Sequence, residues 1–207
     1  RLSGGSWIQR ALWGAQAGLS VFLGWALCRE LDPDHDLSAF FAAGLAVGGL
    51  LLWDLPRLSI LLWLMLVMRV VNRTMGLPAG ILDSLATLGL GIWLSLQGNW
   101  AYGVVTALAF LLDSQLQIRA PRQLVFAMLG VLGTTTAVVL GDDPAWDGGL
   151  SLWGTLIALG ASASFIPVIM ASRRLTSVGD ETDKPLEPVR VQAAQILALF
   201  VGLETAL

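Results

Sequence analysis

The sequence predicts an all-α fold: a polytopic transmembrane helix bundle of about eight spans, or seven if residues 37–72 are partly re-entrant. Three observations carry that expectation. Of 207 residues, 56% are hydrophobic and only 13% charged, where an average soluble domain is about 25% charged and about 45–50% apolar. The mean hydropathy is +0.73, and 12 basic with 15 acidic side chains are too few to cover a water-soluble surface of this size. The apolar residues also fall in long blocks with nothing ionisable inside them, such as Leu37–Trp53 and Leu58–Met68. This composition argues against a soluble globular enzyme and against a disordered tail. A net charge of −3 offers no basic patch to nucleic acid.

Each span follows from the same ruler, about 20 apolar residues for about 30 Å of hydrocarbon, read between turn-forming residues. The first runs over 11–28 and stops at the charged turn around Pro33. The second, 37–54, ends before Pro56. The third, 57–72, is the weakest, because its apolar run is short before Arg69; with the second it could form a re-entrant hairpin. Spans at 79–97 and 100–116 are separated by Gly98-Asn99 and bounded by Pro78 and Pro121. The sixth, 123–140, ends at Gly141. The seventh, 149–171, contains Pro167, which should kink it. The eighth, 190–207, follows Pro185 and Pro188. The whole chain, 1–207, reads as one integral membrane domain, with 172–189 a cytoplasmic loop between the last two spans.

Basic residues collect on the cytoplasmic side of a membrane protein. If all eight segments cross, Arg29, Arg69, Arg73, Arg119, Arg122, Arg173, Arg174, Lys184 and Arg190 share one side and Arg1, Arg10 and Arg57 the other. Tryptophans prefer the headgroup level, and all but Trp25 then fall in the opposite half. Both patterns place the two termini outside, in the membrane of a bacterial or archaeal cell. Helices in lipid associate through close packing of small residues, and the sequence offers Gly14-xxx-Gly18, Gly44-xxx-Gly48, Gly130, Gly133, and Gly154 to Gly160 with Ala158-xxx-Ser162. The hydroxyls of Thr134, Thr135 and Thr136 are expected to bond back to carbonyls one turn earlier.

Cofactor chemistry is sparse. Cys28 and His35 are the only residues of their types, so an intrachain disulfide, thiolate clusters and His/Cys zinc sites are out of reach. Haem or chlorophyll would need histidines within apolar segments, and retinal a lysine within a span; Lys184 is the sole lysine. No cofactor is expected.

Two constellations could carry function. Asp32, Asp34, His35 and Asp36 form an acidic turn whose alternating carboxylates open like a calcium loop. Leu37 stands where that loop needs glycine, and Ala43 where it needs glutamate. A divalent metal held by these four residues would support a lipid-phosphate enzyme; the simpler reading is a turn in which Asp34 or Asp36 caps the next helix. The second constellation pairs Asp83-Ser84 with Asp113-Ser114, each about 15 residues and hence about 22 Å from the turn at 98–99. Antiparallel helices would bring the two carboxylates to one depth, with Arg69, Arg73 and Arg119 approaching. Charge within a span defaults to a functional hypothesis, here an ion, proton or head-group site; the alternative is an interfacial ion-pair network that anchors the bundle.

Three functions therefore compete. Best supported is a non-catalytic accessory or scaffold subunit of a membrane complex, its partners the bilayer and other membrane subunits. A small transporter or channel would use Asp83 and Asp113, with Gln16, Thr87, Thr106 and Gln195 along the path. A metal-dependent enzyme would use the Asp32–Asp36 turn.

Overall fold

A computed structural model describes residues 6–74, 76–116, 119–140, 152–179 and 181–204. Among them are eight α-helices and no strand: α1 (Trp7–Leu31), α2 (Asp36–Leu52), α3 (Leu58–Asn72), α4 (Ile81–Leu96), α5 (Ala101–Gln115), α6 (Arg122–Leu140), α7 (Leu152–Ala171) and α8 (Pro188–Glu204). Each expected segment is a helix. Asp142, Asp143, Trp146 and Asp147 lie outside the described residues, as does the side chain of Trp153.

The helix ends have local causes. α1 begins four residues before the expected span because Ser6 and Gln9 form a capping box: Ser6 Oγ accepts from the Gln9 N–H and Gln9 Oε1 accepts from the Ser6 N–H. It runs on through Arg29 and Glu30 to Leu31 and stops at Asp32, which precedes a proline and so is pushed out of helical geometry. α8 begins at Pro188, whose missing N–H is no loss in the first turn. The α4–α5 turn uses Gly98 at φ +108°, a conformation that penalises any side chain.

Among the described residues two helices, Trp7–Leu31 and Arg122–Leu140, are long and apolar enough to cross a membrane. Asp36–Leu52, Leu58–Asn72, Ile81–Leu96 and Thr155–Ala171 are apolar but shorter. A buried core helix of a soluble protein can be equally apolar, but here only 22% and 33% of the two long apolar windows is buried. Two apolar helices with mostly exposed faces point to membrane association.

The chain divides into two compact units, Arg1–Met65 and Leu66–Leu207. In the first, α1 packs on α2, and Gly24 lets the Ala46 methyl approach. In the second, α4, α5 and α6 pack on one another, α8 lies on α5, and α7 pairs with α8. Its core joins Val70, Ala79, Leu88, Phe110, Phe126 and Ala127, with the Phe110 and Phe126 rings 5.4 Å apart.

Small residues bring these helices together as the sequence suggests, though not at every site. A side chain on Gly91 would strike Thr106, one on Gly103 would strike Thr134 and Ser95, and one on Gly130 would meet the Ala107 backbone at 3.2 Å. Gly14, Gly18, Gly44, Gly48 and Gly160 instead have nothing within 4 Å. The threonine expectation holds: Thr134, Thr135 and Thr136 donate to the carbonyls of Gly130, Val131 and Leu132.

Candidate functional site

The second unit gathers three connections at one end of its helices, and the charged site lies there. α3 ends at Asn72, so the carbonyls of its last turn lack helical partners. The Val71 carbonyl is taken up by Arg190 Nη1, 3.0 Å away on α8. Arg73, the next residue past α3, adopts φ +53°, a left-handed conformation that costs a residue with a Cβ about 1–2 kcal/mol. That geometry aims its guanidinium at Asp113 in the last turn of α5.

Asp113 is the centre. Its Oδ1 accepts from Arg73 Nε at 2.7 Å and from Arg190 Nη1 at 2.7 Å. The side chains are 5%, 2% and 0% exposed for Arg73, Arg190 and Asp113. Such burial makes the pairing obligatory, because a guanidinium does not shed its proton to escape a poor environment. Glu187 adds a second carboxylate 3.5 Å from Arg190 Nε. Among the described residues two cations thus meet two anions. Asp113 Oδ2 is buried without a hydrogen-bond partner, so both arginines converge on the other carboxylate oxygen. Phe110, one turn earlier on α5, is fully buried in the aromatic core.

Around this centre further polar side chains bond across the fold. Gln123 of α6 and Ser84 of α4 bond each other at 3.1 Å, and Gln195 of α8 donates to Ser172 at 2.7 Å. Arg122 donates to the Ala79 carbonyl. At the opposite end, Asn99 in the α4–α5 turn donates to Glu204 of α8 at 2.6 Å, while its own side-chain oxygen accepts from the Ala101 N–H.

The residues singled out from sequence fare differently. Asp83 and Asp113 do lie towards the same end, in the first turn of α4 and the last turn of α5. Their carboxylates take different partners, however: Asp83 Oδ2 accepts from the Gly80 N–H at 3.2 Å, the helix-start position where an acid is favoured. Of the three arginines expected there, Arg73 reaches Asp113, Arg69 is half-buried on α3, and Arg119 is exposed. Arg190 and Glu187 complete the centre, although the spacing argument did not select them. Thr87 and Thr106, both buried, donate to the Asp83 and Tyr102 carbonyls of their own helices; Gln16 is exposed on α1.

In the first unit, His35 Nδ1 meets Asp32 Oδ1 at 2.8 Å, and Asp36 pairs with Arg29. The expected cap is corrected: α2 has His35 at its N-cap with no side-chain cap bond, and Asp36 is already in the first turn. Ser38 Oγ donates to the His35 carbonyl instead. The hydrogen bond and charge of Asp32, with a smaller contribution from Asp34, hold the exposed imidazole above its ordinary pKa. With His35 and Asp36 so engaged, Asp32, Asp34, His35 and Asp36 do not converge as a ligand set; among the described residues no three His, Cys, Asp or Glu side chains do.

No protein family, curated protein or solved structure matches this chain. The geometry of its own residues is therefore the guide to function.

Proposed function

We propose that the chain is a multi-pass integral membrane protein serving as a non-catalytic accessory or scaffold subunit of a membrane complex, with its basic connections in the cytoplasm and both termini outside. One observation carries the scaffold reading: Asp113, the buried acid that a transport site would need, is engaged by Arg73 and Arg190 and ties α3, α5 and α8 together. Asp83 serves its own helix start, and Thr87 and Thr106 are turned back onto their own backbones. The ionisable and polar groups of these helices thus hold the fold rather than line a path. Two further features support the multi-pass reading. The connections after α3, α5 and α7 meet at the end carrying Arg73, Arg122 and Arg190, the alternation that consecutive crossings produce. Large apolar side chains are exposed along the helices, among them Leu37, Phe41, Leu52, Val139 and Leu140, and apolar surface of that extent marks lipid or protein contact.

The scaffold reading also gives the open glycines a use, since Gly14, Gly18, Gly44 and Gly48 have nothing packed against them. The test is native mass spectrometry of the chain extracted from its own membrane in mild detergent. A fixed stoichiometry with other membrane polypeptides is the expected result. A stable, homogeneous monomer would remove the scaffold assignment.

A further inference from the structure

The connection between α7 and α8 folds back on itself. The Leu186 N–H donates to the Ser177 carbonyl at 3.0 Å and the Gly179 N–H to the Lys184 carbonyl at 2.8 Å, with Val178 paired to Pro185 between them. The Thr182 and Asp183 N–H groups both donate to the Gly179 carbonyl, which closes the tip. One side of this strap is exposed through Val178, Glu181, Asp183 and Lys184, whereas Gly179 and Leu186 are buried.

The tip rests on the turn that follows α3. A side chain on Gly179 would meet the Gly76 backbone nitrogen at 3.0 Å, and one on Gly76 would strike Thr182. Gly76, at φ +83°, is thus both a turn residue and the seat of the strap. Its N–H donates to the Arg73 carbonyl at 2.7 Å. Arg73 is in turn the residue whose left-handed backbone sends its guanidinium to Asp113. Backbone strain of that kind persists only where the surroundings over-determine it. The contacts run without a break from Thr182 and Gly179 through Gly76 and Arg73 to Asp113. The strap also returns to the same centre, since Glu187 follows it and pairs with Arg190.

The seat carries its own counterweight. Thr182 Oγ1 is buried and has no hydrogen-bond partner among the described residues. A buried hydroxyl in that state is unfavourable, and water would satisfy it once the strap lifts. Seating therefore sets the Arg73–Asp113 ion pair against a strained turn and a dry hydroxyl. Opposed contributions of this kind put a local opening well below global unfolding.

We propose that the strap is a conformational device that positions Arg73. Seated, it holds the turn at 73–76 in the geometry that reaches Asp113; lifted, it releases Arg73 and loosens α3 from α5 and α8. The coupling is reciprocal: loss of the Asp113 carboxylate frees the strap as lifting the strap frees Arg73. On the membrane reading the exposed side of the strap faces the cytoplasm, so the tie is worked from there.

The test is amide hydrogen exchange read by mass spectrometry on the full chain in mild detergent, with thermal unfolding alongside. Thr182→Val keeps the shape of the side chain and replaces the dry hydroxyl with a methyl group. It should slow exchange in peptides covering 73–78 about tenfold and raise the unfolding midpoint. Gly76→Ala pushes against Thr182 and should speed exchange at 73–78 and at 177–186 together. In the Asp113→Asn background, where Arg73 has lost its target, the effect of Thr182→Val should vanish from both readouts. Slowing of equal size in the two backgrounds would show a strap that packs without positioning Arg73. Unchanged or faster exchange in Thr182→Val would remove the counterweight, and opening confined to one segment in Gly76→Ala would break the chain of contacts. Any of these three results overturns the device.

Discussion

Replacing Asp113 with asparagine should unfold the second unit far more easily than a change of one oxygen for one nitrogen suggests. Asparagine keeps the shape and an acceptor for Arg73 and Arg190, so the substitution isolates the charge. What remains is two guanidiniums, 5% and 2% exposed, one of them 3.5 Å from Glu187, both deprived of the carboxylate that joins them. Removing one partner of a buried ion pair costs about 3–5 kcal/mol, and arginine has no accessible neutral form to soften the loss. For a chain of this size, about 2–4 °C of Tm accompanies each kcal/mol. The expected drop is about 6–20 °C, read by circular dichroism in detergent. Adding Arg73→Gln removes one of the two cations that faced the lost carboxylate, so the double variant should recover part of the loss, with a coupling of about 0.5–3 kcal/mol. If Asp113→Asn unfolds within about 2 °C of the native chain and the double variant shows no coupling, the carboxylate is not a structural tie. The scaffold reading would then lose the observation that carries it.

Three further outcomes follow from the same geometry. Arg73→Gly should be less damaging than Arg73→Ala by about 1–2 kcal/mol, because both lose the ion pair while only glycine relaxes the φ of +53°; chemical denaturation of the two variants compares them directly. Gly130→Leu should destabilise by about 1–3 kcal/mol through overpacking against the Ala107 backbone, whereas Gly14→Leu, with nothing within 4 Å, should leave Tm unchanged and weaken association with partner subunits. The His35 proton, followed by NMR, should titrate above its usual value because of Asp32, and Asp32→Asn should remove the shift. Since the folded value is raised, this contact favours the fold most at low pH, and its contribution fades as pH rises through the folded pKa.

The sequence was most legible where one residue type acts locally. Pro33, Gly98 and Pro121 delimit helices through backbone geometry alone, so all eight segments were readable with ends within a few residues. The start of α1 is also legible in Ser6-xx-Gln9, a polar capping signal that apolar runs do not carry. The site was half legible. Depth counting from Gly98 brought Asp83 and Asp113 to one end, but spacing along a helix does not say which face a side chain occupies. Asp83 turned to its own helix start, where the Gly80 N–H needs an acceptor, and Asp113 turned inward. By sequence Arg190 falls with the basic membrane face, because its partner lies 77 positions away on α5 and a contact at that separation exists only once α8 packs on α5. Long-range geometry also divided the glycines, closing helices around Gly130 and leaving Gly14 open, though both sit in similar apolar surroundings.

Everything functional above depends on the chain crossing the membrane repeatedly with its charged end in the cytoplasm, and cysteine accessibility tests that directly. Cys28 is the only cysteine and its sulfur lies 3.6 Å from Ser38 Oγ, a weak contact, so Cys28→Ala provides the background. Single cysteines then replace His35, Leu77, Arg119 and Lys184 on one side, and Arg57 and Gln97 on the other, and intact cells are treated with an impermeant thiol reagent. The expected result is labelling at positions 57 and 97, with 35, 77, 119 and 184 reacting only after the membrane is opened. Labelling of all six positions alike, or of the two groups in mixed order, would contradict eight alternating crossings.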